Sequence, residues 1–73
     1  MYDFVVWCDS YIYDRYRYAL RRPTGDFPDT DYVADCETDA RAQFKRQLIR
    51  YGFPSDIAED MSWAAQCSNL GKH

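Results

Sequence analysis

The chain has 73 residues and a mass of 8.7 kDa, of which 47% are hydrophobic and 29% charged. Such a length fits one domain over residues 1–73 with a small core, since a chain of this size buries only about 60% of its unfolded surface. Its longest uninterrupted apolar run extends from Phe4 to Cys8. That excludes a transmembrane helix of about 20 residues and the apolar segment of about 7 to 15 residues in a secretory signal. We therefore expect a small soluble domain with no membrane partner.

Charge and cysteine content narrow the expected function and location. Twelve acidic and nine basic residues give a net charge of -3, whereas dedicated nucleic-acid binders usually carry a basic excess. The odd number and wide spacing of Cys8, Cys36 and Cys67 do not suit a disulfide framework. Reduced thiols, and hence a cytoplasmic location, are expected.

Glycine and proline divide the chain into three segments of helical length. They cluster from Pro23 to Pro28 and from Gly52 to Pro54. Within each segment apolar residues recur every three or four positions, and acidic residues precede basic ones, as the helix macrodipole favours. The sequence predicts helices over residues 4–21, 32–51 and 55–69, joined by an acidic loop over 22–31, with Gly52 ending the second helix. The predicted fold is all-α, a compact three-helix bundle.

The first segment also admits a strand. Phe4-Val5-Val6-Trp7 consists of β-branched and aromatic residues, which favour sheets. An α+β fold with a short strand around Phe4–Trp7 is therefore the alternative, with Asp9 as the N-cap of the helix that follows. A strand there needs partners that the rest of the chain hardly offers, so the helix is preferred.

Residues that could carry chemistry are scarce. The only histidine is His73, and the cysteines show no metal-ligand spacing. Three isolated glycines cannot form a phosphate-binding loop, and no serine or cysteine has an evident neighbouring base. We expect no catalytic residues, no metal, no cofactor and no enzymatic activity.

Two charged and aromatic stretches remain as candidate contact surfaces. Residues 26–39 contain six acidic residues and no basic one; dense carboxylates can imitate the phosphates of a nucleic acid and compete for a basic groove. Charge compensation at a helix start explains part of the same pattern. The predicted partner-binding residues are Asp26, Asp29, Asp31, Asp35, Glu37, Asp39, Tyr11, Tyr18 and Tyr32.

The second stretch interleaves tyrosine and arginine over residues 11–22. These residue types are enriched at protein hot spots and also stack on bases and bind phosphates. The residues that would contact a nucleic acid are Arg15, Arg17, Arg21 and Arg22.

With its acidic run from Asp26 to Asp39 and its tyrosine-rich face from Tyr11 to Tyr18, the chain resembles the small phage- or mobile-element-encoded inhibitors of bacterial defence, the anti-CRISPR proteins especially. These inhibitors share no common fold, so the resemblance assigns no residue a role. It implies non-catalytic inhibition in the bacterial cytoplasm, by binding a protein complex such as a CRISPR effector and blocking its engagement with nucleic acid.

Two other functions stay open. One is a small helical assembly or regulatory subunit, a homodimer that uses the tyrosine-rich face. The other is a minor nucleic-acid binder that works through the four arginines.

Overall fold

The computed structural model of the protein describes residues 3–28 and 32–69. These residues form an α+β fold in which helices pack beside a three-stranded antiparallel sheet. The elements in chain order are β1 (Phe4–Trp7), α1 (Ser10–Tyr16), a 3₁₀ turn (Arg17–Ala19), β2 (Tyr32–Ala34), α2 (Glu37–Tyr51), α3 (Ser55–Ala64) and β3 (Gln66–Asn69).

The first strand occupies the centre of the sheet. The strand order is β2-β1-β3, and β1 is antiparallel to both neighbours. Val6 lies opposite Tyr32 on one side and opposite Cys67 on the other, while Val5 pairs with Val33 and Ser68. Because side chains alternate along a strand, Val6 points to the helices and Val5 to the opposite face of the sheet.

The predicted three-helix bundle is therefore wrong. The first predicted helix, 4–21, is β1 followed by α1 and the 3₁₀ turn; the second, 32–51, begins as β2; the third, 55–69, ends at Ala64 and continues as β3. The alternative, an α+β fold with a strand at Phe4–Trp7, is the one that the structure has. The missing partners of β1 lie at the start of the second predicted helix and the end of the third. In such short pieces, apolar spacing does not distinguish a strand from a turn of helix.

The core forms where α2 meets the sheet and α3. Phe44, Leu48, Met61 and Val6 are the largest fully buried side chains. On α2, the buried residues recur at helical spacing, as the sequence predicts, and they face the sheet and α3. Helix α2 thus contacts α3 and the strands β1 and β2.

Two predicted helix boundary residues, Asp9 and Gly52, are confirmed, whereas Ser55, predicted to cap the third helix, is its first helical residue and Pro54 is the N-cap. Asp9 is the N-cap of α1, and its carboxylate accepts a hydrogen bond of 3.0 Å from the backbone N–H of Ile12. Gly52 ends α2 with a φ of +140°, and a Cβ at this position would lie 2.7 Å from the carbonyl oxygen of Arg22. The segment after the 3₁₀ turn therefore passes close over the end of α2.

None of the helices within residues 3–28 and 32–69 has the length and apolar character that crossing a membrane requires.

Candidate binding surface

An exposed aromatic face runs along α1 and the 3₁₀ turn. Tyr11, Asp14, Arg15 and Tyr18 occupy positions i, i+3, i+4 and i+7, and we call this set the α1 face. Tyr11 is 70% exposed and Tyr18 77% exposed, the highest values among the large hydrophobic residues that the structure describes. The Arg15 guanidinium lies 5.9 Å from the ring centre of Tyr16, which keeps it beside the helix. The α1 face thus presents two large rings and a cation to solvent.

The other two tyrosines of this segment point inward. The ring of Tyr13 meets that of Phe27 edge-on, with 4.6 Å between their centres, and that of Phe53 at 6.3 Å. Tyr16 is half-buried against the core. The predicted tyrosine-rich face is therefore divided: only Tyr11 and Tyr18 are available to a partner.

Tyr13 also links the loop before β2 to the end of α2. Its hydroxyl forms a hydrogen bond with that of Tyr51, which raises the pKa of Tyr51; burial and the negative charge of Asp26 raise it further. The Phe27 ring packs edge-on against Tyr51, 5.4 Å between centres. This aromatic cluster is structural, since its rings pack on one another.

The predicted acidic surface is split between the two ends of α2. Asp26 shares a cleft of about 200 Å³ with Tyr51 at the end of this helix. Asp35 and Asp39, at the start of α2, line another cleft of about 340 Å³, which extends along the helix to Arg46. Fifteen helical residues separate these ends by about 20 Å. Asp29 and Asp31 lie outside the described residues.

Two further predicted contact residues are engaged within the protein. Tyr32 is half-buried, and its ring centre lies 5.1 Å from that of Phe44. Glu37 is exposed, but its carboxylate accepts hydrogen bonds from the guanidinium of Arg41, with both N–O distances 2.8 Å. Substituting either residue would disturb the fold as well as any partner contact.

Arg41 is the residue of greatest structural consequence that sequence reasoning missed. It is only 9% exposed. One guanidinium nitrogen donates to the carbonyl of Ser62, to that of Trp63 at 3.1 Å and to that of Ala65 at 2.9 Å. The indole ring of Trp63 lies 5.5 Å from the guanidinium carbon. We call this arrangement, together with Glu37, the Arg41 clip. The spacing of four residues between Glu37 and Arg41 predicts an ion pair along the helix. It does not predict that Arg41 also donates hydrogen bonds to the end of α3.

No protein family model, curated protein or solved structure matches this chain. Its exposed surfaces are therefore the basis of the functional proposal.

The four predicted nucleic-acid residues, Arg15, Arg17, Arg21 and Arg22, are all exposed. Arg17 makes only a loose pair with Asp14, 3.9 Å apart and with both side chains 66% exposed. The backbone N–H of Arg21 donates to the carbonyl of Gly52, which fixes the position of this segment on the end of α2. The arginines are thus presented from an ordered backbone.

The thiols of Cys8 and Cys67 are poor nucleophiles. Burial, assisted by the charge of Asp9, raises the pKa of Cys8 to about 12. Burial, followed by the charge of Glu37, also raises the pKa of Cys67. Both thiols are thus protonated at neutral pH, and the thiolate is the reactive form. Within residues 3–28 and 32–69 no three acidic, cysteine or histidine side chains are grouped to hold a metal, and His73 lies outside these ranges.

Proposed function

We propose that this protein acts by binding a protein partner, without catalysis, and that the α1 face is its main contact. The observation that carries the proposal is the exposure of Tyr11 on the capped helix α1 and of Tyr18 in the 3₁₀ turn that follows it. Tyrosine and arginine are enriched among the residues that dominate binding energy. Anchors at positions i, i+3, i+4 and i+7 are the pattern by which a helix docks in a groove.

The proposed partner is a bacterial protein complex, a CRISPR effector, which the protein would prevent from engaging nucleic acid. Support for this target is the resemblance in size, charge and composition to anti-CRISPR inhibitors. Exposed carboxylates at the start of α2, such as Asp39, would speed the approach to a basic groove. Glu37 is left out of the proposed contact because it holds Arg41.

The test uses a panel of purified CRISPR effector complexes, with DNA binding followed by gel mobility shift as the protein is added. The wild-type protein should abolish DNA binding by at least one complex. A Tyr11→Ser/Tyr18→Ser variant should require a roughly 100-fold higher concentration, since each anchor contributes about 1 to 2 kcal/mol. Ile49→Ser is the matched control, because Ile49 is also an exposed apolar side chain (41%) but lies on α2; it should inhibit like the wild type.

Two outcomes would reject this function. One is that the wild-type protein inhibits none of the complexes. The other is that the double tyrosine variant, shown by its melting curve to be folded, inhibits as well as the wild-type protein.

The contribution of the acidic residues is separable from that of the tyrosines. Asp39→Asn should slow association and weaken its salt dependence while leaving the dissociation rate near that of the wild type. Asp60→Asn removes an exposed carboxylate from α3 instead and serves as its control. Equal association rates for the two variants would remove the carboxylates of α2 from the proposed contact.

The exposure of all four arginines favours nucleic-acid binding as a second candidate function. It requires retention of DNA or RNA that falls steeply with added salt. An Arg21→Gln/Arg22→Gln variant would weaken such binding and leave the tyrosine anchors intact. No retention at low salt would eliminate this candidate.

A further inference from the structure

The segment from Ala65 to Asn69 has little local preference for the strand that it forms. Ala65 and Gln66 are good helix formers, the three residues after them are weaker ones, and none of the five is a β-branched or aromatic residue of the kind that favours strands. If α3 continued, Ala65 and Ser68 would lie on the same face as Ala58 and Met61, which are fully buried. Instead the backbone leaves the helix at Ala65, with φ -63° and ψ 152°, and forms β3. A segment with so little strand preference of its own depends on tertiary contacts to stay extended.

Few apolar contacts fix β3 to the rest of the protein. Gln66, Ser68 and Asn69 are exposed, and only Cys67 packs against the core. The ladder with β1 and the Arg41 clip are therefore the main interactions that keep the segment extended.

The clip competes directly with an extension of α3. In a continued helix, the carbonyls of Ser62, Trp63 and Ala65 would accept hydrogen bonds from the backbone N–H groups four residues later, those of residues 66, 67 and 69. Arg41 donates to these same three carbonyls. Its positive charge also suits the negative end of the helix dipole. Arg41 therefore competes with the backbone N–H groups of an extended helix for the same three carbonyls.

We propose that residues 65–69 are a conformational switch with two states. In one, Arg41 binds the carbonyls and the segment is strand β3. In the other, Arg41 is released, the segment extends α3, and one edge of β1 is uncovered. Arg41 is the positioning residue, and Glu37 holds its guanidinium in the orientation that the carbonyls need.

The test compares Arg41→Met with Arg46→Met, which removes an exposed cation from the same helix. Amide hydrogen exchange and Cα chemical shifts are measured by NMR. In Arg41→Met, the amides of the β1–β3 ladder should exchange about tenfold faster or more, with a much smaller change at Phe44 and Leu48. The shifts of residues 66–69 should move toward helical values. Arg46→Met should resemble the wild type in both measurements.

A rescue variant distinguishes the switch from a simple loss of stability. Ser68 lies opposite Val5, so Ser68→Val adds a β-branched cross-strand pair and disfavours the helix. Added to Arg41→Met, it should restore the protection of the ladder and the extended shifts. Uniformly faster exchange at all core amides, or shifts of residues 66–69 that stay extended or become random coil, would overturn the proposal.

If Arg41→Met does not fold, the wild-type protein decides the question. A minor state of residues 66–69 with helical Cα shifts, detected in the wild-type protein by saturation-transfer NMR, supports the switch. A minor state with random-coil shifts, or no minor state, contradicts it.

Discussion

Helix α2 and strand β3 differ in how far local sequence and tertiary structure agree. In α2, the helical spacing of Ala40, Phe44 and Leu48 places all three in the core, and the glycine that follows adopts the conformation that ends the helix. In β3, residues with no strand preference of their own form a strand because β1 and Arg41 hold them there. The comparison shows that apolar spacing identifies the buried side chains more reliably than it identifies the backbone conformation that buries them.

The largest expected effect tests the α2 side of this comparison. Phe44→Ala should lower the free energy of unfolding by about 3 to 5 kcal/mol, because Phe44 is fully buried between the sheet and α3. A small domain has little more stability than this, so the variant should be largely unfolded by circular dichroism at room temperature. Ile49→Ala, on the exposed side of the same helix, should cost less than about 1 kcal/mol. Equal urea midpoints for the two variants would show that the core lies elsewhere.

A smaller effect is expected where α2 ends. Gly52→Ala should lower the free energy of unfolding by about 2 to 3 kcal/mol, because the added Cβ would meet the Arg22 carbonyl at a φ of +140°. Gly25→Ala is the matched control: its φ is +72°, but no atom lies within 4 Å of an added Cβ. It should cost about 1 kcal/mol. Urea midpoints measure both, and a Gly52 variant no less stable than the Gly25 variant would contradict the close approach of the two segments.

The smallest effect is a dependence of stability on alkaline pH, caused by the raised pKa values of Cys8 and Tyr51. Cys8 keeps its proton up to about pH 12 in the folded protein, and Tyr51 keeps its own above the usual range. The unfolded chain releases them near pH 8.5 and 10, so above pH 8.5 the folded state binds more protons. The free energy of unfolding should therefore be greatest below this pH and fall as the pH rises. For the half-exposed Cys8 we expect a slope below about 1 kcal/mol per pH unit.

Urea unfolding between pH 8 and 11 measures this slope. Cys8→Ala should flatten it, and Cys36→Ala, which removes an exposed thiol, should leave it as in the wild type. An unchanged slope in Cys8→Ala would exclude Cys8 as a source of the alkaline destabilisation.

The helices were predictable where the sequence carried its own boundary. Gly52 ends α2 as predicted, and Ala40, Phe44 and Leu48 of that helix are buried at the predicted spacing. The sheet was not predictable, because its strands are distant in sequence: Phe4, for example, pairs with Asn69. No local spacing records such a pairing.

The candidate site was predictable only in residue type. Alternating tyrosine and arginine predicts a contact surface. Which side chains are exposed depends on how the segment packs: Tyr11 on α1 and Tyr18 in the 3₁₀ turn face solvent, while Tyr13 packs inward. In the same way, Glu37 is part of an acidic run in the sequence, but in the structure its carboxylate is paired with the Arg41 guanidinium. An ion pair across one helical turn can be inferred from spacing, whereas its extension to the carbonyls of a second helix cannot.

The central place of β1 has a consequence for how the chain folds. Its two neighbours in the sheet come from segments far along the sequence, so β1 has nothing to pair with until distant parts of the polypeptide have met. Closing such long loops costs entropy before any ladder hydrogen bond forms. The helix pair α2–α3 can assemble from neighbouring residues, and we expect it to form the folding nucleus onto which β1 docks late.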